Sequence, residues 1–311
     1  LLFFKKLLTL VAVFAGLTGL FYIGLDKLAN KKLPVSNNET SKKIKNEKKQ
    51  KKPKVNLVAL GDSLTQGVGD TTQNGGYVYL IKQVLEKRLD ATVVTKNYGK
   101  AGDRSDQIME RLQQQKKQQA ALKKANVITM TVGGNDLMQT LQKNFNSLSS
   151  TQLASVMPTA QKSYSQKLDE LLQTVRSYNS HAPIFLYTVY NPFYVYFPAL
   201  TQLQKYTAQW NLVAQQKTVK NKNVYVVNIE KRLSEGQYYE HSSNLKETTV
   251  TDYNNFSGQK LSKILNNQKE KNNYLSPADH FHPNVKGYKY MAAKLYQVMI
   301  KHKGTWLKEG G

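Results

Sequence analysis

Cysteine is missing from all 311 positions. Its absence excludes disulfides, a thiolate nucleophile, cysteine-ligated metals and a lipidated N-terminal cysteine. It does not exclude export, because a chain of this length can bury a core large enough to fold without cross-links. Acidic residues are scarce: 21 Asp and Glu stand against 45 Lys and Arg, and the formal net charge is +24. Such a surface favours polyanions, whether nucleic acid, anionic lipid or an anionic envelope polymer. Nucleic acid is not expected as a partner. The basic stretches lack interleaved aromatics, and zinc-finger spacing is impossible without cysteine. No internal repeat is evident.

Charge is missing altogether from Leu7 to Leu25, a run preceded by Lys5 and Lys6 and closed by Asp26 and Lys27. At ~1.5 Å per helical residue the run nearly matches a bilayer core of ~30 Å. A buried core helix rarely lacks a polar face. A cleavable signal peptide needs a small-residue site, and Val13-Phe14-Ala15 lies inside the run rather than after it. Residues 1–29 are therefore expected to form an N-terminal transmembrane helix, with a signal peptide as the alternative. Lysines number two before the run and eleven from Lys27 to Lys54, which taken literally puts the C-terminal side inside. Large domains translocate largely regardless of flanking charge. The expected location is the cell membrane, single-pass, with the C-terminal domain extracellular, or secreted if the segment is cleaved. Residues 30–54 are lysine-rich with few apolar side chains and read as a disordered tether. It is either an electrostatic foot on an anionic membrane or envelope polymer, or a solvated spacer.

From Val55 the composition changes, and residues 55–311 read as one domain. Apolar runs predict strands at 55–60, 91–98, 126–132, 183–190 and 223–229. Helical patterns fall at 76–89, 104–124, 135–180 in two or three pieces, 199–220 and 285–302. Strands separated by helices indicate βαβ units and a parallel sheet with helices on both faces. The stretch 231–275 is polar and weakly periodic and reads as a long excursion with some helix.

Four short stretches carry candidate chemistry. Gly61-Asp62-Ser63 follows the first strand, Asn97 to Asp103 the second, and Gly133-Gly134-Asn135-Asp136 the third. Asp279-His280-Phe281-His282-Pro283 precedes the last helix. In a parallel sheet the strand C-termini share one edge, where these stretches can meet. A serine hydroxyl needs a base, and His282 can be that base. Asp279, three residues earlier, can hold the other imidazole nitrogen. An oxyanion needs donors: the Ser63 and Gly102 backbone N–H groups and the Asn135 amide can supply them. Each stretch alone has a plainer meaning. Gly-Asp-Ser is a common turn, Asn135 can cap a helix, and Asp279 with His282 can be a surface pair. His280, His282 and Asp279 could suggest a metal cluster, but alternation sets the imidazoles apart, and no metal is expected. Asp62 reads as a turn-stabilising side chain, and His181, His241 and His302 as structural or exposed.

Together these blocks resemble the SGNH (GDSL-type) hydrolases over roughly residues 55 to 300. Gly61-Asp62-Ser63-Leu64 matches the first signature block, Gly102 the second, Asn135 the third, and Asp279, His282 and Pro283 the fourth. The resemblance implies a three-layer α/β/α, flavodoxin-like fold with a five-stranded parallel sheet and no metal or other cofactor. It implies a catalytic Ser63, Asp279 and His282, an oxyanion hole of Ser63, Gly102 and Asn135, and lipase- or acylhydrolase-like ester cleavage through an acyl-serine. Deacetylation of envelope polysaccharide and non-catalytic envelope binding are the alternatives. The expected substrate is a lipid or acylated envelope component. Tyr190 to Pro198 follows the fourth strand, so Phe193, Tyr194, Tyr196 and Phe197 are expected to line a substrate groove, with core packing as the alternative.

Overall fold

The structure, a computed structural model, describes residues 52–143, 151–198, 200–241, 245 and 270–307. The expected membrane helix, nearly all of the lysine-rich tether and most of the 231–275 excursion lie outside the described residues.

All five expected strands form. They are β1 (Lys54–Gly61), β2 (Thr92–Gly99), β3 (Val127–Thr131), β4 (Ile184–Tyr187) and β5 (Val224–Val227). They pair in parallel in the order β2-β1-β3-β4-β5. That order places the turn after β1 at the point where the connections diverge to opposite sides, the switch point at which doubly wound sheets bind ligands.

β1 shows why the layers form. Its side chains alternate between faces, as a strand's period of two requires. Val58 and Leu60 join one apolar cluster, and Val55, Leu57 and Ala59 join another. Both sets are buried, because helices cover both faces. On the Leu60 side lie α3 (Ser105–Gln114), α4 (Lys116–Lys123), α5 (Gly134–Lys143), α6 (Thr151–Tyr178) and α7 (Thr201–Lys220). On the Leu57 side lie α2 (Gly76–Leu89) and α9 (Val285–Lys301). Two short helices, α1 (Ser63–Gln66) and α8 (Glu230–Glu235), sit in the connections after β1 and β5.

The departures from the sequence reading have local causes. The single helix expected over 104–124 breaks at Gln115, whose extended backbone (φ −102°, ψ 99°) ends α3 and starts α4. The apolar period runs through the break and conceals it. The start of the 231–275 stretch is helical in α8 and in a 3-10 turn at Gly236–Tyr238. His302 stacks on Tyr225 with ring centroids 3.7 Å apart. Burial and nearby Lys301 lower its pKa below the ordinary histidine value.

Leu57 is fully buried between the sheet and the α2–α9 layer. Leu57→Ala should lower the unfolding free energy by about 2–5 kcal/mol, from lost transfer energy and the cavity left behind. Urea denaturation of the chain in mild detergent reads this, and a loss below about 1 kcal/mol would mean that the two layers do not close on β1.

Candidate active site

The turn that carries Ser63 is built by the end of β1. A Cβ on Gly61 would lie 2.4 Å from Thr131 Oγ1 and 2.6 Å from the Thr131 carbonyl oxygen, so only glycine lets β1 pass β3 there. Asp62 caps α1: its Oδ1 accepts from Leu64 N (3.0 Å) and from the Thr131 hydroxyl (2.7 Å). Ser63 thus becomes the first residue of α1, where a backbone N–H has no intrahelical partner. Beneath the turn, buried hydroxyls link Thr131 to Thr65 (2.7 Å), Thr65 to Tyr77 (3.0 Å) and Tyr77 to Thr129 (3.1 Å).

The turn before α9 faces Ser63. His282 Nε2 lies 2.9 Å from Ser63 Oγ, and its Nδ1 lies 2.7 Å from Asp279 Oδ2. Asp279 Oδ1 accepts from the N–H groups of Phe281 and His282, both at 3.0 Å. Burial alone would raise the Asp279 carboxyl. The His282 ring and the two backbone donors outweigh it and hold its pKa below the ordinary carboxylate value. Asn284 caps α9 by accepting from Lys286 N (2.9 Å) and Gly287 N (3.1 Å), which ends the turn just after His282. Tyr288 then donates from its hydroxyl to the Val68 carbonyl (2.6 Å), tying α9 to the loop after Ser63. That loop comes so close that a Cβ on Gly69 (φ +88°) would lie 2.5 Å from the Pro283 carbonyl oxygen and 3.1 Å from His282 Cβ.

The loop after β2 wraps onto the same turn. Lys100 N donates to the Gly61 carbonyl (3.0 Å) and Ala101 N to Gln66 Oε1 (2.7 Å). Arg111 clamps three strands of chain at once. Its Nε donates to Asp103 Oδ2 (2.8 Å), Nη1 to the Tyr98 carbonyl (2.7 Å) and Nη2 to the Gly61 carbonyl (3.1 Å). Gly102 adopts φ +84° with nothing within 4 Å of where a Cβ would stand, so its glycine serves the backbone conformation and leaves an open approach. Asn135 Nδ2 donates to the Asp103 carbonyl (2.9 Å). Its side chain therefore crosses to the Gly102 loop instead of capping α5, and one amide hydrogen remains. Asp136 fixes the pair of loops by accepting from Ser105 N (3.0 Å) and the Ser105 hydroxyl (2.6 Å).

A cavity of about 40 Å3 opens beside Ser63. Asp62, Ser63, Thr131, Asn135 and Thr188 contribute polar side chains to its wall, and Leu64, Val132, Leu137, Met138, Val189, Tyr190 and Phe281 apolar ones. Gly102 lies outside this wall and joins it through the Asp103–Asn135 bond. Burial pushes Asp62 up to about 6, against the opposing Thr131 and Leu64 hydrogen bonds. Nothing among the described residues groups three metal-ligating side chains: His280 turns away from His282 into a separate buried pocket.

The profile of the GDSL-like lipase/acylhydrolase family matches residues 57–295. The chain belongs to this family. Membership makes it an ester hydrolase. The Bacillus subtilis protein YpmR, described as uncharacterized, is 30% identical over 268 residues, 84% of this chain and 90% of that protein. The spore germination lipase LipC of Bacillus licheniformis is 30% identical over 153 residues, 49% of this chain and 70% of that protein. Among solved structures, a lipase from a goat rumen metagenome matches with a TM-score of 0.55 at 25% identity, covering 78% of this chain and 96% of that one.

The family's sequence blocks thus meet at one sheet edge, but the aromatic loop does not line the cavity as expected. Tyr194, Tyr196 and Phe197 are buried. Tyr194 packs with Val195 and Leu245. The loop folds inward because its large apolar rings gain more from burial than from facing solvent. Phe193 is half-buried beside Phe281, with centroids 6.3 Å apart, and so backs the cavity wall at one remove. Tyr190 does line the cavity, and its hydroxyl donates to the Phe281 carbonyl (2.6 Å). Its place directly after β4 was the available signal for that role. Arg111 and Ser105 had none, since nothing in their spacing marks them.

Asp62 makes stability depend on pH. Its folded pKa of about 6 lies above the unfolded ~4, so the protonated form is favoured by folding. That contribution is complete below the unfolded pKa and is lost as pH rises through the folded one. Asp62→Asn keeps an oxygen for Leu64 and Thr131 and removes the charge. Its melting temperature relative to the parent should rise between pH 4 and pH 8, by the equivalent of about 1–3 kcal/mol. A difference that stays flat across this range would show that Asp62 titrates normally.

Proposed function

We propose that this ester hydrolase works through a Ser63 acyl-enzyme in a domain spanning residues 55–311. The observation that carries the proposal is the line from Asp279 through His282 to Ser63, with bonds of 2.7 and 2.9 Å. As Ser63 Oγ attacks the ester carbonyl carbon, His282 Nε2 takes its proton. Asp279 holds Nδ1–H, sets the tautomer and stabilises the imidazolium that forms. The carbonyl oxygen gains negative charge and receives the N–H groups of Ser63 and Gly102 and the remaining Asn135 amide hydrogen. The intermediate expels the alcohol, which takes the proton from His282. Water then attacks the acyl-serine with His282 again as base, releasing the carboxylic acid and restoring Ser63.

The cavity supports a short acyl group. Its volume of about 40 Å3 holds only about three waters, and its apolar wall suits an acetyl-to-butanoyl tail better than a long chain. Esters of that kind include acetylated envelope polysaccharide. A membrane anchor at residues 1–29 and a basic tether at 30–54 would hold the domain near an anionic envelope. This rests on the uncharged Leu7–Leu25 run and the lysines beyond it.

A p-nitrophenyl ester series tests the reading. Turnover should fall as the acyl chain lengthens beyond butanoate and vanish to background in Ser63→Ala. Asn135→Ala should lose on the order of 10²–10³ in kcat. Turnover that persists in Ser63→Ala would overturn the mechanism, and a maximum at octanoate or longer would overturn the short-acyl pocket.

A further inference from the structure

Between Asp279 and His282 lies a residue that the reaction does not use. His280 is 1% exposed and adopts φ +55°, a backbone region that non-glycine residues rarely occupy. Its Nδ1 bonds Glu270 Oε2 and stands 3.1 Å from Tyr196 Oη. Tyr196 donates from its hydroxyl to Glu270 Oε1 (2.7 Å) and accepts from Lys271 N (3.0 Å). Asn272 N donates to the same Oε1 (2.6 Å), and Asn272 Nδ2 donates to the Leu233 carbonyl (2.8 Å).

Two costs therefore meet at one position: an ionisable pair with side chains only 2% and 8% exposed, and a left-handed backbone. Strain of this kind persists only where the surroundings over-determine it. The adjoining residues carry the reactive geometry. Phe281 N and His282 N both donate to Asp279 Oδ1, so the peptide on the C-terminal side of His280 sets the angle between Asp279 and the His282 ring. If His280 left the left-handed region, that peptide would rotate and carry Nε2 away from Ser63.

We propose that Glu270, His280 and Tyr196 form a positioning brace for His282. The brace rests on the serine-esterase reading above, and its residues touch neither substrate nor reacting atoms. It also gives a role to the end of the 231–275 stretch, where Glu270 closes the excursion by locking the turn. Tyr196, expected to line a substrate groove, instead supports the base from behind.

Three variants separate positioning from bulk stability. His280→Gly accepts φ +55° without strain but removes the ring. His280→Asn also tolerates that conformation and keeps an N–H donor near the position of Nδ1. Glu270→Ala removes the acceptor. His280→Gly should lower kcat per titrated active site by about 10- to 100-fold while KM changes little, the effect expected of a misplaced base. His280→Asn should recover most of that loss. Combining Glu270→Ala with His280→Gly should cost no more than the worse single change, as for residues acting as a unit. A proton NMR signal from His282 Nδ1–H bonded to Asp279 should appear in the parent, in Ser63→Ala and in His280→Asn, and disappear in His280→Gly. If His280→Gly keeps full kcat and the proton signal and loses only melting temperature, the brace is overturned. If the parent chain lacks esterase turnover but the proton signal follows the stated pattern, the esterase mechanism fails and the brace stands.

Discussion

A single hydrogen bond between Ser63 Oγ and His282 Nε2 spans 219 positions of sequence, and much of the fold serves to close it. β1 lies inside the sheet, paired on both sides, which fixes the point from which Ser63 departs. α9 carries His282 at its N-terminal approach and lies in the same apolar layer as α2, the next long helix after Ser63. Asn284, Tyr288 and the close approach of Gly69 set the remaining fraction of the distance. The proposed nucleophile–base pair would tolerate little error, because about 1 Å of misplacement can remove 10²-fold in rate. The sheet supplies the coarse position and the turn before α9 the fine one.

The same edge holds carboxyls whose pKa values move in opposite directions. Burial raises all of them, so the outcome depends on how many donors each collects. Asp279 collects the His282 ring and two backbone N–H groups and is held low. Asp62 and Asp136 collect fewer or weaker compensations and are held high. A carboxylate held ionised beside His282 stabilises an imidazolium. The same residue type is thus shifted in opposite directions at one sheet edge by the donors and charges that face it.

Much of the fold was legible because burial writes itself into sequence. β1, β3 and β4 are nearly continuous apolar runs, as strands buried on both faces must be, and α2 was located to the residue. The four polar stretches were legible as motifs, since Gly61, Ser63, Asn135, Asp279 and His282 each follow or precede a predicted element at the sheet's edge. What escaped has a common physical form. Gln115 breaks a helix without breaking its apolar period. Arg111 reaches the Asp103 carboxylate and the Tyr98 and Gly61 carbonyls, the last of them 50 positions away. Tyr196 sits in an aromatic run whose composition fits a groove and a core equally well. The decision between them comes from Glu270, 74 positions away, which accepts its hydroxyl. Long-range polar partnerships leave no periodic trace.

The proposed reaction turns on activation of Ser63 by His282. A fluorophosphonate probe, followed by peptide mass spectrometry, tests it most directly. One adduct is expected, on Ser63, formed rapidly in the parent and slowed by at least about 10³-fold in His282→Ala, the scale at which triad members act. Labelling at another residue, or labelling of Ser63 at an unchanged rate in His282→Ala, would contradict it.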